Sequence, residues 1–232
     1  MNFSIILASR ERLELLSSLI DSIHNNTKDI EKVEVLVGID NDDSISQKAA
    51  LHLPKTYPFS HFFSRNRSSN LNNDYLNWIS GSYAKGKYFI ICNDDSRFQT
   101  KNWDEIIINK LENYLSDKPD RIAYGFMSDS LLNRHGMGYC CFPLITKEAF
   151  DALGFSMPPE YNSWNADIAL WQIYSSINRI CDLSEVTIDH ISYHAGKRDP
   201  DHINNHVRSI SNGVQSVDAY VQRIKKVIER KK

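Results

Sequence analysis

Residues 87–98 read KYFIICNDDSRF. Tyr88-Phe89-Ile90-Ile91-Cys92 is an unbroken apolar run that passes straight into Asn93-Asp94-Asp95. A run without polar alternation is the pattern of a parallel strand covered on both faces. In doubly wound sheets ligands bind at the carboxyl ends of such strands. Alternate side chains of a strand share a face, which predicts Asn93 and Asp95 turned into one cleft and Asp94 turned away. A carboxylate there is well placed for a divalent cation. The alternative is a polar turn in which Asp and Asn bond the local backbone.

Working outward, the same period recurs upstream. A strand is predicted over 3–8, with Ser9 as N-cap of a helix carrying Leu13, Leu16, Leu19, Ile20 and Ile23 on one stripe. A second strand over 33–39 closes in Asp40-Asn41-Asp42-Asp43, and a short helix over 44–51 follows. A third strand over 59–63 leads through Arg65-Asn66-Arg67 into a helix that Gly86 breaks. Strand and helix alternating to the fourth strand describe an α/β fold, a doubly wound, mainly parallel sheet with helices on both faces. Downstream the pattern loosens. It predicts helices over 103–115 and 164–177, a helix beginning near Thr146, strands over 121–127, 139–144 and 185–189, a loop over 128–138 and a last helix over 214–228.

At 232 residues without a Pro/Gly/Ser-rich linker, one domain is expected. Hydrophobic content of 41% and charged content of 24% are those of an ordinary globule, and a net charge of -2 argues against a nucleic-acid partner. The opening apolar stretch, 3–8, is too short for a secretory core and no long apolar run follows, so a cytoplasmic protein, soluble or at most peripheral to a membrane, is expected. The cysteines, Cys92, Cys140, Cys141 and Cys181, form no C-x-x-C and suggest reduced thiols rather than a zinc site or a disulfide framework.

Acidic clusters thus close two strands, at Asp40 and at Asn93-Asp94-Asp95. Asp167 opens a helix after an aromatic-rich loop, and His190 and His194 follow the last strand. This order, over about residues 3–201, resembles the GT-A fold nucleotide-sugar-dependent glycosyltransferases, particularly the inverting, family 2-like enzymes. Ser4-Ile5-Ile6-Leu7-Ala8-Ser9-Arg10-Glu11-Arg12 looks like their first strand and turn, Asn93-Asp94-Asp95 like their D-x-D motif, and Trp164-Asn165-Ala166-Asp167 like their late acidic motif. Asn93 departs from the family, which usually has Asp there.

The resemblance implies a donor half over 1–100, an acceptor half over 101–205 and a C-terminal helical segment over 206–232. It implies Mn2+ or Mg2+ on Asp95 with His190 or His194, the ion neutralising a diphosphate leaving group. It places Asp40 against the nucleotide base, commonly a uracil. Ser9, Arg10, Arg12, Arg67, Asn93, Asp94 and Lys197 are then donor-side residues, Trp164 an acceptor-side wall and Asp167 the general base. The plainer readings are solvated helix-start arginines, loop histidines and a helix-N-terminal aspartate complementing the macrodipole. The implied partners are a nucleotide-sugar donor and a glycan, lipid-linked or protein acceptor. A sugar-1-phosphate nucleotidyltransferase would need glycines where Ala8-Ser9-Arg10-Glu11-Arg12 stands. G-x-x-x-x-G-K-[ST] and G-x-G-x-x-G are absent. Asn93 leaves open a non-catalytic nucleotide- or glycan-binding protein on the same fold.

Overall fold

The strand Phe3–Ala8 (β1) has parallel neighbours on both sides, Val33–Asp40 (β2) through Phe3↔Val33 and Tyr88–Ile91 (β4) through Phe3↔Tyr88. In this computed structural model, residues 1–130, 139–193, 196–210 and 216–231 are described. With Ser60–Arg65 (β3), Ser96–Phe98 (β5), Tyr124–Ser128 (β6), Leu144–Thr146 (β7) and Ile180–His190 (β8), the sheet runs β3-β2-β1-β4-β7-β6-β8-β5. The β3-β2-β1-β4 half is parallel. β7 is antiparallel to both its neighbours, β6 and β8 are parallel, and β5 is antiparallel to β8.

The apolar runs are explained by what covers them. Ile5 and Leu7 face a core with Leu16, Leu19 and Ile23 of α1 (Leu13–Asn26) and Trp103 and Ile107 of α4 (Trp103–Leu115). α2 (Ser44–Thr56) packs on the same side, through Ala50 and Leu53. Ile6, Phe89 and Ile91 face the other core. It holds Ile79 of α3 (Trp78–Ser82), Ala149 of α5 (Lys147–Leu153), Leu170 of α6 (Ala166–Ser175) and Ile224 of α8 (Asp218–Arg230). Each such side chain fully buried contributes about 1.5–3 kcal/mol, so neither face of β1 tolerates polar alternation. Gly86 is required where the chain enters β4, because a Cβ there would stand 2.5 Å from the backbone nitrogen of Ser4. Its N–H donates to Ser4 Oγ at 2.8 Å. That hydroxyl donates to the buried Glu34 at 2.6 Å.

Several expectations are corrected. Ser9 does not cap α1: the helix starts at Leu13 with Arg12 at the N-cap position, and Ser9 is turned into the molecule. The helix after β3 begins as a π-helical stretch, Asn72–Asn77. The strand expected over 139–144 lies at Leu144–Thr146, because pairing with β4 through Phe89↔Ile145 fixes its register. β8 runs from Ile180, well before residue 185, along the whole of β6. The helix expected over 164–177 is Ala166–Ser175, and a helix not foreseen, α7 (His202–Ile210), follows β8. The loop expected over 128–138 lies almost wholly outside the described residues. Among the described residues no helix is long and apolar enough to cross a membrane.

Candidate functional site

The carboxyl ends of β1, β2 and β4 meet at one pocket, as parallel topology requires. Ser9, Arg10, Arg12, Asp40, Arg67, Asn93, Asp94, Asp95, Trp164 and His190 all line it. β4 ends at Ile91, so Asn93-Asp94-Asp95 is a turn rather than strand, and strand alternation does not govern it. The expected outward Asp94 is therefore corrected: both aspartates are buried and both line the pocket.

At one end, Asp40 accepts from the Tyr75 hydroxyl through one carboxylate oxygen and from Arg10 through the other, at 2.8 Å. Arg10 also reaches Asp42 at 2.6 Å. At the centre, Asp94 accepts from Ser9 Oγ at 2.9 Å and from Arg12 at 3.1 Å. Arg12 also forks onto Asp201 at 2.7 and 2.9 Å, tying the chain just before α7 to the first turn. Burial and the neighbouring Asp95 lift the Asp94 carboxyl against the pull of Arg12.

Asp95 is held beside His190 by strand pairing. β5 and β8 match Ser96 with His190, and Ile191 N–H donates to the Asp95 carbonyl at 2.7 Å. Asp95 Oδ1 stands 3.3 Å from His190 Nε2, and Oδ2 accepts from Arg198 at 3.0 Å. Burial alone would raise Asp95, but His190, Arg198 and Arg12 outweigh it and keep the group ionised. His190 is correspondingly raised, with Asp95 and Asp129 overcoming its burial.

Asp95 Oδ1 is buried without hydrogen-bond geometry to any donor among the described residues. An unsatisfied buried carboxylate oxygen beside an imidazole nitrogen is a donor set that fits a divalent cation. Oxygen with imidazole suits Mn2+ better than Mg2+. A second group, Asp129, Cys141 and His190, has its ligand atoms within 4.8 Å of one another.

Asp167 opens α6, after Asn165 in a left-handed conformation (φ 68°). Its Oδ1 accepts from the Ile168 N–H at 2.9 Å. Burial pushes its carboxyl up to about 6, against that hydrogen bond. It does not line the pocket, yet it feels the charges of His190 and Asp129. Trp164, 37% exposed, stands at the pocket wall.

One expectation is not met as drawn. Lys197 turns away and pairs with Asp189 and Ser130, and its neighbour Arg198 takes the place at Asp95. His194 lies outside the described residues, and His190 is the imidazole placed against Asp95. Sequence reasoning missed Arg198, Asp201, Tyr75 and Asp129. Only Asp129 carried a signal, a carboxylate directly after a strand, as Asp40 is the carboxylate that ends one.

This arrangement of the sheet and its covering helices is the GT-A fold. The structure is similar to the mannosyltransferase PcManGT from Pyrobaculum calidifontis in complex with GDP-Man and Mn2+, with TM-score 0.64 and 14% identity over 98% of this chain and 68% of that one. It is similar to S. aureus TarS 1-349 in complex with UDP-GlcNAc, with TM-score 0.63 and 13% identity over 98% of this chain and 65% of that one. GalNAc-T7 with UDP, GalNAc and Mn2+ gives TM-score 0.61 and 13% identity over 82% of this chain and 44% of that one. No family model matches the chain. No curated protein matches it either.

Proposed function

We propose that the chain is a divalent-metal-dependent, inverting glycosyltransferase that moves a sugar from a nucleoside-diphosphate sugar, UDP-linked by preference, to an acceptor hydroxyl. The observation that carries this reading is the buried, unsatisfied Asp95 Oδ1 facing His190 inside a pocket walled by Arg10 and Arg12. Three solved structures of the same fold hold GDP-Man with Mn2+, UDP-GlcNAc, and UDP with GalNAc and Mn2+.

Asp40 is the contact for the base. Tyr75 and Arg10 each take up one lone pair on separate oxygens, which orients the carboxylate and leaves one acceptor position on each oxygen. The imide N–H of uracil is a donor that either position accepts. Arg12, which lines the pocket with its fork held by Asp201, meets the diphosphate as a fixed positive charge. Asp95 and His190 would hold the cation, which when bound neutralises the leaving diphosphate. Asp167 takes the acceptor's hydroxyl proton. The freed oxygen attacks the anomeric carbon as the bond to the β-phosphate oxygen breaks, and a single displacement inverts the centre.

The test is calorimetry with UDP, with and without Mn2+. Wild-type protein should bind UDP more tightly with Mn2+, and Asp95→Ala should lose that increment while remaining folded, at a lower melting temperature because His190 and Arg198 lose their buried partner. An Asp95→Ala protein that gains as much from Mn2+ as wild type removes the assignment.

A further inference from the structure

We infer that Asp129 is a positioning residue: its carboxylate holds His190 from behind and fixes the tautomer that aims Nε2 at Asp95. The inference rests on the metal reading above and goes beyond it, since Asp129 lies outside the pocket.

The placement follows from the sheet. β6 and β8 run parallel, so their carboxyl ends lie side by side, with Ser128 matched to Thr187. The residue after β6 is Asp129 and the last residue of β8 is His190. Asp129 Oδ2 stands 3.6 Å from His190 Nδ1, while Nε2 on the other side stands 3.3 Å from Asp95. The Asp129 side chain is 1% exposed and that of His190 13%, so water does not screen the contact. The Phe142 ring meets the imidazole edge-on at 5.0 Å and limits its rotation.

An imidazole that gives a lone pair to a cation must carry its proton on the other nitrogen, and a carboxylate behind that nitrogen selects this tautomer. The buried carboxylate in contact with Nδ1 is Asp129. At 3.6 Å the contact is longer than a hydrogen bond, and it acts through the charge of the buried carboxylate.

The same atoms admit one competing arrangement, a cation seated behind the ring between Asp129, Cys141 and His190. Titration with Mn2+ alone, read by electron paramagnetic resonance, separates the two. Asp129→Asn should weaken Mn2+ binding about 10–100-fold. Asp129→Glu should recover part of the loss, and Cys141→Ser should leave binding unchanged. Unchanged affinity in Asp129→Asn overturns the inference. So does a loss in Cys141→Ser equal to that in Asp129→Asn, which would put the cation behind the ring.

A measurement on the unaltered protein does not depend on the variants folding. With 15N-labelled histidine at pH 8.5 and saturating Mg2+, a diamagnetic stand-in for Mn2+, the His190 resonance, identified by its disappearance in His190→Gln, should show the proton on Nδ1, facing Asp129. A proton on Nε2 in protein that binds the ion overturns the inference. Wild-type protein that binds neither Mn2+ nor Mg2+ overturns the proposed function, and this inference with it.

Discussion

Asp167 is a carboxyl whose burial lifts it to about 6, and a general base works best when its pKa lies near the working pH. A base acts in its ionised form, so kcat should rise with pH through about 6 and level off above it. Asp167→Asn should keep UDP and Mn2+ binding and lose about 10²–10⁴ in rate, mostly in kcat. The folded state holds the Asp167 proton more tightly than the unfolded chain. Wild-type stability is therefore reduced progressively as pH rises from about 4 to about 6. Asp167→Asn escapes that reduction and should melt no lower than wild type at pH 7. NMR of the product should show the anomeric configuration opposite to that of the donor, and retention would remove the base from Asp167. A normal rate in the variant with inversion would move the role to Glu160, whose carboxylate accepts from the Tyr220 hydroxyl. At this scale the sequence was most readable where a carboxylate ends a strand, as at Asp40 and the Asn93-Asp94-Asp95 turn. Arg198 was unreadable because its partner Asp95 lies 103 positions away and no local pattern links them.

Among elements, the entry to β4 is the tightest join. Gly86→Ala places a methyl 2.5 Å from the Ser4 nitrogen and 2.7 Å from the Phe3 carbonyl carbon, and backbone cannot yield as a side chain does. It should cost about 1–3 kcal/mol, as other overpacked sites do, and at roughly 2–4 °C per kcal/mol it should lower the melting temperature accordingly. A melting curve superimposable on wild type would mean that β1 and β4 are not joined as described. The strands were legible where burial on both faces writes a continuous apolar run, as in β1, β2 and β4. β8 was half hidden, because Asp182, Ser184 and Glu185 point outward and break its apolar run. β7 was misplaced because Cys140 and Phe142 are buried without joining the ladder, so burial alone resembled a strand. Ser9 had the composition of a cap and is used instead as a donor to Asp94, a choice made by a residue 85 positions away.

For the whole molecule, ligand binding should read out as stability. A ligand at 100 times its dissociation constant adds about 2.7 kcal/mol to the folded state. For a chain of this size that corresponds to a rise of about 5–10 °C. UDP with Mn2+ should reach this range, with UDP or Mn2+ alone well below it, in a thermal-shift series that also includes GDP. A larger shift with GDP would reverse the proposed preference for UDP. The second half of the sheet was less legible than the first, because its order depends on β7 entering antiparallel and on β5 crossing to β8.

The Arg198–Asp95 pair gives the site a stoichiometry of its own. A cation on Oδ1, as the proposed function has it, would join the guanidinium already on Oδ2, so one carboxylate would carry two positive partners. That surplus of positive charge would suit a diphosphate in the adjoining pocket. Each ligand thereby prepares the place of the other. By thermodynamic reciprocity the factor by which Mn2+ tightens UDP must equal the factor by which UDP tightens Mn2+. The two titrations, run in opposite order, should close the same cycle.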